Sequence, residues 1–212
     1  MDRKQNGRRS EALRSALIEV AEVLFAERGM NGVSLREIGK AAGSDNTGVV
    51  NYYFGGKQQL IEAVYAHRLA AIERRRAELL SEVGVTGDAE ELRGLLLATF
   101  LPVFEQRDGH NRHSYAGFLA SLGRSSWSPS GKGVSDLYPV SDELMARLQK
   151  FIPNNSRPLL EERMNLVTAM IVSAIEQIRA TGTNTHEGNG QDLPFFDALT
   201  MAAAAITAPA IG

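Results

Sequence analysis

The chain has 212 residues, of which 43% are hydrophobic and 23% are charged, and its formal net charge is −2. This composition suits one or two compact domains, and the lack of cysteine excludes a disulfide framework, a thiolate metal site and a cysteine nucleophile. No uninterrupted apolar run approaches the ~20 residues of a membrane span, and the basic N-terminus lacks an apolar signal core. We therefore expect a soluble, cytoplasmic protein without a membrane partner.

Charge is distributed unevenly along the chain. The part up to Lys57 carries more basic than acidic side chains, and the remainder carries more acidic ones. Arg3, Lys4, Arg8 and Arg9 are predicted to form a flexible basic arm, which is either solvated or reaches DNA. This asymmetry is typical of a DNA-binding module joined to a second domain.

The first two predicted helices have clear ends. Apolar residues recur at helical spacing from Leu13 to Phe25, and Gly29 stands where a left-handed residue closes a helix. The second helix starts with a capping box, in which the Ser34 hydroxyl accepts from the Glu37 amide and the Glu37 carboxylate reaches back.

A turn at Gly43 leads into a short predicted helix over 46–52, which the glycine pair 55–56 ends. A long helix is predicted over 57–81. In the short helix, Val50 is expected to point inward. Two short helices joined by a glycine turn have the layout of a helix-turn-helix, whose second helix enters the major groove of DNA.

The rest of the chain is also predicted to be helical, without convincing strand alternation or an internal repeat. A second capping-box pattern, Asp88 with Glu91, starts the next helix. More helices are expected over 111–122, 141–151 and 156–181 and from Asp192 onward, with long polar loops over 123–139 and 183–191. The fold class is therefore predicted to be all-α, with about nine helices.

Roughly over residues 11–66, the sequence resembles the TetR family of bacterial transcription regulators. The residues that carry the resemblance are Ala21, Leu24, Phe25, Gly29, Ser34, Leu35, Arg36, Glu37, Ile38, Ala42, Gly43, Tyr53, Phe54, Lys57 and Leu60. The stretch from Gly43 to Phe54 is one residue longer than is usual in the family. It is similar to a subgroup that favours asparagine near Asn46, and the longer stretch alters base contacts rather than the fold.

The resemblance implies a DNA-binding domain over 1–56 and a ligand-binding and dimerisation domain over 57–212. It also implies a homodimer in which the last two long helices of each subunit form a four-helix interface. The apolar residues of these helices that we assign to the interface are Leu160, Met164, Ile175, Ile178, Phe195, Phe196 and Leu199.

Candidate DNA contacts lie on the two short helices and at the start of the long one. Asparagine pairs with adenine, and threonine or valine methyl groups contact thymine, while helix N-termini, lysine and one of two adjacent tyrosines bind phosphates. The candidates are Ser34, Arg36, Asp45, Asn46, Thr47, Val49, Asn51, Tyr52, Tyr53 and Lys57. The alternative for each is a solvated surface side chain, whereas Phe54 is assigned to the core.

Aromatic, methionine and aliphatic residues of the second domain recur at helical spacing, and each has a place in the plain core as its alternative. Because bundle interiors are where ligand cavities form, they are also candidates for a pocket. The set is His67, Phe100, Phe104, Tyr115, Phe118, Leu122, Trp127, Met145, Met164, Val167 and Ile171. Such a lining suits a small, mostly apolar effector. No cofactor or metal is predicted, because the pair His110 and His113 has no third ligand near it.

These patterns predict a homodimeric, DNA-binding transcription regulator, most readily a repressor released by a small molecule. An architectural DNA-binding protein without an effector is one alternative. The other is an all-α enzyme with an accessory DNA-binding head, and against it the chain lacks a GxSxG elbow, a phosphate loop and a HExxH helix. We therefore expect no catalytic residues.

Overall fold

The computed structural model describes residues 2–125, 139–180 and 193–209, and every regular element in these ranges is helical. The α-helices are α1 (Asp2–Arg28), α2 (Leu35–Ala41), α3 (Val49–Phe54), α4 (Lys57–Glu82), α5 (Ala89–Phe104), α6 (Ser114–Gly123), α7 (Pro139–Gln149), α8 (Arg157–Ala180) and α9 (Leu193–Thr207). The all-α prediction is confirmed. Trp127, most of the predicted loop over 123–139 and the whole of that over 183–191 lie outside the described residues.

The capping box at the start of α2 forms as predicted. The Ser34 hydroxyl accepts from the Glu37 amide at 3.3 Å, and a Glu37 carboxylate oxygen accepts from the Ser34 amide at 2.8 Å. The Ser34 hydroxyl also donates to that oxygen at 2.7 Å. Together these hydrogen bonds hold the pKa of Glu37 below its ordinary value.

The second predicted capping box forms only in half. Asp88 accepts from the amides of Glu90 and Glu91, both at 3.0 Å, but the Glu91 carboxylate does not return to Asp88. It accepts instead from the amides of Thr86 and Gly87 at 2.9 and 2.7 Å. A buried arginine on α7 draws the carboxylate away from the cap, which no local pattern reveals.

Two N-terminal boundaries differ from prediction. The segment predicted as a flexible arm is helical from Asp2, and α3 begins at Val49 rather than at position 46. The later start of α3 has a local cause, because the Asn46 side chain accepts from the Gly48 amide at 2.9 Å and holds a turn that competes with helix. At its other end α3 stops at Gly55, whose φ of 85° favours glycine.

The described contacts divide the chain into two compact units. The first comprises Met1–Ala70 with Gly117–Trp127, and the second comprises Ala71–Ala116 with Ser128–Gly212. These bounds differ from the predicted domains 1–56 and 57–212, because the first part of α4 and the end of α6 pack with the N-terminal helices.

Inside the first unit, the core lies between α1, α2, α3, the first part of α4 and the end of α6. Phe25 on α1 and Phe118 on α6 are fully buried, with ring centroids 6.4 Å apart. Arg68 on α4 donates twice to the Glu22 carboxylate on α1, at 2.9 and 3.1 Å. Since Glu22 is only 1% exposed, this bidentate pair ties α4 to α1.

The core of the second unit is one apolar cluster, to which α5, α7, α8 and α9 contribute most of the side chains. Phe104 of α5 and Phe195 of α9 stack with centroids 4.3 Å apart. The Arg147 guanidinium on α7 donates to Glu91 at 2.8 and 3.1 Å and also to the carbonyls of Val83 and Gly84. This pair fastens the connection between α4 and α5 to α7. No helix of the described residues is long and apolar enough to cross a membrane.

Candidate nucleic-acid interface

The pair α2 and α3 packs closely around Gly39. A Cβ atom at Gly39 would lie 2.9 Å from a methyl carbon of Val49, so the approach requires glycine. Ile38 and Val50 are buried at 0% and 1% exposure, and Val50 points inward as predicted. This packing fixes α3 against α2 in the arrangement of a helix-turn-helix.

The structure overturns the predicted orientation of Val49. Its side chain is 4% exposed and lies against Gly39, so it belongs to the core and does not reach a thymine methyl. Val49 is the first residue of α3, and the glycine at position 39 leaves room for its side chain against α2. The candidates that do lie exposed on this surface are Ser34, Arg36, Asp45, Asn46, Thr47, Asn51 and Tyr52.

The two adjacent tyrosines are in different environments. Tyr52 is 81% exposed and meets the Tyr53 ring edge-on, with centroids 5.1 Å apart. Tyr53 is half-buried, and its hydroxyl lies 3.0 Å from that of Ser10 on α1. Phe54, assigned to the core from sequence, is also only half-buried.

Lys57 is already engaged inside the first unit. Its Nζ donates to the Val33 carbonyl at 2.6 Å and lies 5.9 Å from the centroid of the Phe25 ring. The ammonium therefore stabilises the junction of α4 with the loop before α2. Its predicted phosphate contact would have to use the remaining N–H groups.

Comparison with known proteins agrees with this geometry. Residues 17–64 match the family model for bacterial regulatory proteins of the tetR family. The matched segment contains the second half of α1, α2, α3 and the start of α4. Over these residues the chain has the N-terminal domain of the TetR family. The predicted resemblance is confirmed.

Known relatives match over less than half of this chain. It is 32% identical over 108 residues to the HTH-type transcriptional regulator BetI of Paraburkholderia xenovorans, covering 45% of this chain and 55% of that protein. It is 31% identical over 87 residues to the HTH-type transcriptional repressor KstR2 of Mycolicibacterium smegmatis, covering 41% of each. The chain thus spans about half the length of the first of these relatives and less of the second.

A solved structure with a similar chain path is the TetR-family transcriptional regulator PfmR of Thermus thermophilus. The match has a TM-score of 0.48 at 16% identity and covers 92% of this chain and 96% of the other.

Sequence reasoning did not select Arg14 or Ser10 on α1. The Arg14 guanidinium carbon lies 5.3 Å from the centroid of the Phe54 ring, and Ser10 meets Tyr53. The spacing of four residues between them puts both on one face of α1. Only the packing of α1 against α3 brings that face to the end of α3.

The predicted pocket residues are divided between the two units. His67, Phe118 and Leu122 belong to the first unit, and His67 is exposed on α4, which contradicts a place in a closed cavity. Met145 is half-buried and Trp127 lies outside the described residues. The others are buried in the second unit: Phe100, Phe104, Tyr115, Met164, Val167 and Ile171.

Two open grooves flank the N-terminal half of α5. One, of about 620 Å³, lies between α5 and α9 and is lined by Leu92, Phe151 and Phe196 among others. The other, of about 750 Å³, lies between α5 and the end of α4. None of the predicted pocket residues lines either groove.

The predicted dimer contacts are mostly core residues of the subunit itself. Six of the seven are buried, with no more than 8% of the side chain exposed: Leu160, Met164, Ile175, Ile178, Phe195 and Leu199. Only Phe196, 45% exposed, lies on the surface. The reason is that α5 and α7 cover the apolar stripes of α8 and α9 that would face outward in an isolated helix pair. The large apolar side chains left exposed on α8 and α9 are Leu166, Leu193, Phe196 and Met201.

The two histidines near the start of α6 are not alike. His110 is exposed, whereas His113 is buried beside Arg107 with its ring 4.8 Å from that of Phe104. Among the residues that the structure describes, no three His, Asp or Glu side chains are grouped to hold a metal ion.

Proposed function

We propose that this chain is a sequence-specific DNA-binding transcription regulator that acts as a homodimer and is released from its operator by a small molecule. The observation that carries the proposal is the α2–α3 pair. The contact of Gly39 with Val49 fixes α3 against α2, and α3 presents polar residues to solvent. Asn51 and Tyr52 are exposed on α3, and Asn51 has the donor and acceptor that pair with adenine in the major groove.

The first test is selection of a duplex from a randomised pool, followed by fluorescence anisotropy on the selected and a scrambled duplex. Asn51→Ala is expected to cost ~1–3 kcal/mol on the selected duplex and to relax the preference at one base pair. If the wild-type protein binds both duplexes equally at physiological salt, it is not a sequence-specific regulator.

Dimerisation is proposed from the exposed apolar side chains of α8 and α9. Leu166 and Leu193 are 74% and 65% exposed, and a two-fold axis beside the two helices would bury them with their symmetry mates. DNA binding by the dimer would require the two α3 helices to lie about one helical turn of DNA apart, ~34 Å. Light scattering of wild type, Leu166→Glu and Val85→Glu tests this, because Val85 is equally exposed but lies on neither helix. Only Leu166→Glu should yield monomers.

Repression is proposed because a relative, KstR2, is named a repressor. The effector is proposed to be mostly apolar because the interior of the second unit is aromatic and aliphatic. Release requires that the effector binds better to the conformation that does not bind DNA. The helix α4, which contributes to both units, is the element that such a ligand would displace.

Thermal shift against a panel of lipophilic and polyanionic compounds tests the effector. Aromatic or fatty-acid-like molecules should raise the melting temperature and release the selected duplex. Polyanions should do neither, because the apolar interior would leave their charge unpaired at a cost of several kcal/mol. If only polyanions act, the apolar-effector proposal fails and DNA binding is untouched.

A further inference from the structure

Two hydroxyl side chains meet where α1 packs against the end of α3, and an arginine on the same face of α1 lies over the next ring of α3. The hydroxyl oxygens of Ser10 and Tyr53 lie 3.0 Å apart, and either one can donate to the other. Because one hydroxyl proton satisfies that bond, the second proton remains available to an outside acceptor. Ser10 is exposed and Tyr53 half-buried, so the pair opens to solvent.

Arg14 lies on the same face of α1, four residues from Ser10. Its guanidinium is held over the Phe54 ring, with the carbon 5.3 Å from the ring centroid, and the residue is half-buried. No ion pair or hydrogen bond of this guanidinium occurs within the described residues. Stacking on a ring occupies the face of the guanidinium and leaves its in-plane N–H donors free for a planar or tetrahedral anion.

The surroundings favour an anion over a cation. Arg8 and Arg9 are exposed on the preceding turn of α1. Glu11 is the nearest acidic residue along α1, and it is exposed and not paired with Arg14 in the described part of the chain. Tyr52, which directly follows Asn51 on the reading face, is 81% exposed beside this cluster.

We propose that Arg14, Ser10 and Tyr53 together bind one backbone phosphate of the operator duplex. This inference rests on the proposed DNA binding and adds a site on α1 to it. A bidentate guanidinium and a hydroxyl are suitable partners for a phosphodiester, and such contacts fix the register of a reading helix without reading sequence. The phosphate belongs to DNA rather than to a free anion, because the cluster borders the end of α3.

The salt dependence of binding distinguishes this role from a structural one. A cation that neutralises a phosphate releases counterions, so its loss lowers the slope of log affinity against log salt by about 0.9. Arg14→Met keeps an apolar stem over Phe54 and is expected to show that decrease on both the selected and the scrambled duplex between ~50 and ~200 mM KCl, with sequence preference unchanged. Arg93→Met is the matched control. Arg93 is exposed on α5 in the second unit, and this variant should keep the wild-type slope.

The hydroxyl pair gives a second, independent measurement. Tyr53→Phe removes a neutral donor, so it should weaken both duplexes ~3- to 10-fold at every salt concentration while the slope stays at the wild-type value. A structural defect in Arg14→Met would lower affinity at an unchanged slope, and that outcome overturns the inference. So does an equal fall in slope for Arg93→Met.

Two further outcomes separate this inference from the broader proposal. If the wild-type protein binds no duplex, both fail. If it binds and Arg14→Met retains the full slope, only the α1 site fails. The last experiment measures the melting temperature with inorganic phosphate added at constant ionic strength. If it raises the melting temperature of wild type but not of Arg14→Met while the duplex slopes agree, the site takes a free anion and the assignment to DNA is wrong.

Discussion

Replacing Glu91 by leucine is expected to destabilise the second unit more than any surface charge removal in this chain. Glu91 is 4% exposed and Arg147 is 9% exposed, and they meet at 2.8 and 3.1 Å. The second carboxylate oxygen accepts from the amides of Thr86 and Gly87. Leucine removes the only carboxylate that the structure describes against the Arg147 guanidinium.

The expected cost follows from the charge left behind. Breaking a buried ion pair by removing one partner typically costs ~3–5 kcal/mol, because the other charge stays buried and unpaired. The amides of Thr86 and Gly87 add little, since these residues are exposed and water can replace the carboxylate. For a chain of this size the melting temperature falls ~2–4 °C per kcal/mol, which gives a decrease of about 6–20 °C.

A double-mutant cycle separates the ion pair from simple loss of packing. Arg147→Met alone should be comparably destabilising, whereas Glu91→Leu with Arg147→Met should recover a large part of the loss, since two apolar side chains of similar volume need no charge partner. Glu161→Leu is the control, because the pair of Glu161 with Arg157 at 2.9 Å is solvent-exposed and should contribute no more than ~0.5 kcal/mol. Urea denaturation followed by circular dichroism gives all four values.

Acid provides an independent check on the same residue. Burial works to raise the pKa of Glu91, but hydrogen bonds from the Gly87 amide and the Arg147 guanidinium outweigh it, so the pKa lies below the ordinary 4.5. The stabilisation is therefore present above about pH 4.5 and is lost as the pH falls through the lowered pKa. The difference between wild type and Glu91→Leu should shrink in that acid range. An equal difference at neutral and acid pH, or a cost no larger than that of Glu161→Leu, refutes the reasoning.

Four further variants test the first unit and the dimer. Gly39→Ala should destabilise the first unit by ~1–3 kcal/mol in urea denaturation, because the new Cβ would lie 2.9 Å from a Val49 methyl carbon; a neutral effect would show that α3 is free to shift. Leu166→Glu should give a folded monomer in light scattering, whereas Ile175→Glu, at a fully buried position, should unfold the subunit; a folded Ile175→Glu monomer would restore the original interface assignment. Asn51→Ala should relax base preference at one position in a duplex selection, and an unchanged consensus would remove it from the reading face.

Interactions between residues close in sequence explain why much of the first unit was predictable. The capping box of Ser34 and Glu37 and the left-handed glycines at 29 and 55 act within a few residues of chain. The helical period of apolar side chains then gives the helices and their order, and the same residues carry the family resemblance. The accessible candidates Asn51 and Tyr52 came from this level, without tertiary information.

Orientation was less predictable where an unrecognised local contact or a neighbouring element decides it. The side chain of Asn46 holds a turn before α3, and Val49, the first residue of α3, is buried against Gly39. Likewise the carboxylate of Glu91 leaves its expected cap for Arg147, which is distant in sequence. Whether a residue is apolar or polar does not determine which of several possible neighbours its side chain packs against or hydrogen-bonds to.

By itself the sequence determined that the chain is all-helical and where the α2–α3 pair lies, because these depend on periodicity and short-range capping. The residues of this segment also carry the resemblance to the TetR family. Only the tertiary structure decided that Ile175 and Leu160 belong to the subunit's own core while Leu166 is exposed. It alone placed Arg14 and Ser10 beside the end of α3. The sequence sets the apolar pattern of a helix. The elements packed around the helix determine which of its faces are buried and which are left for a partner.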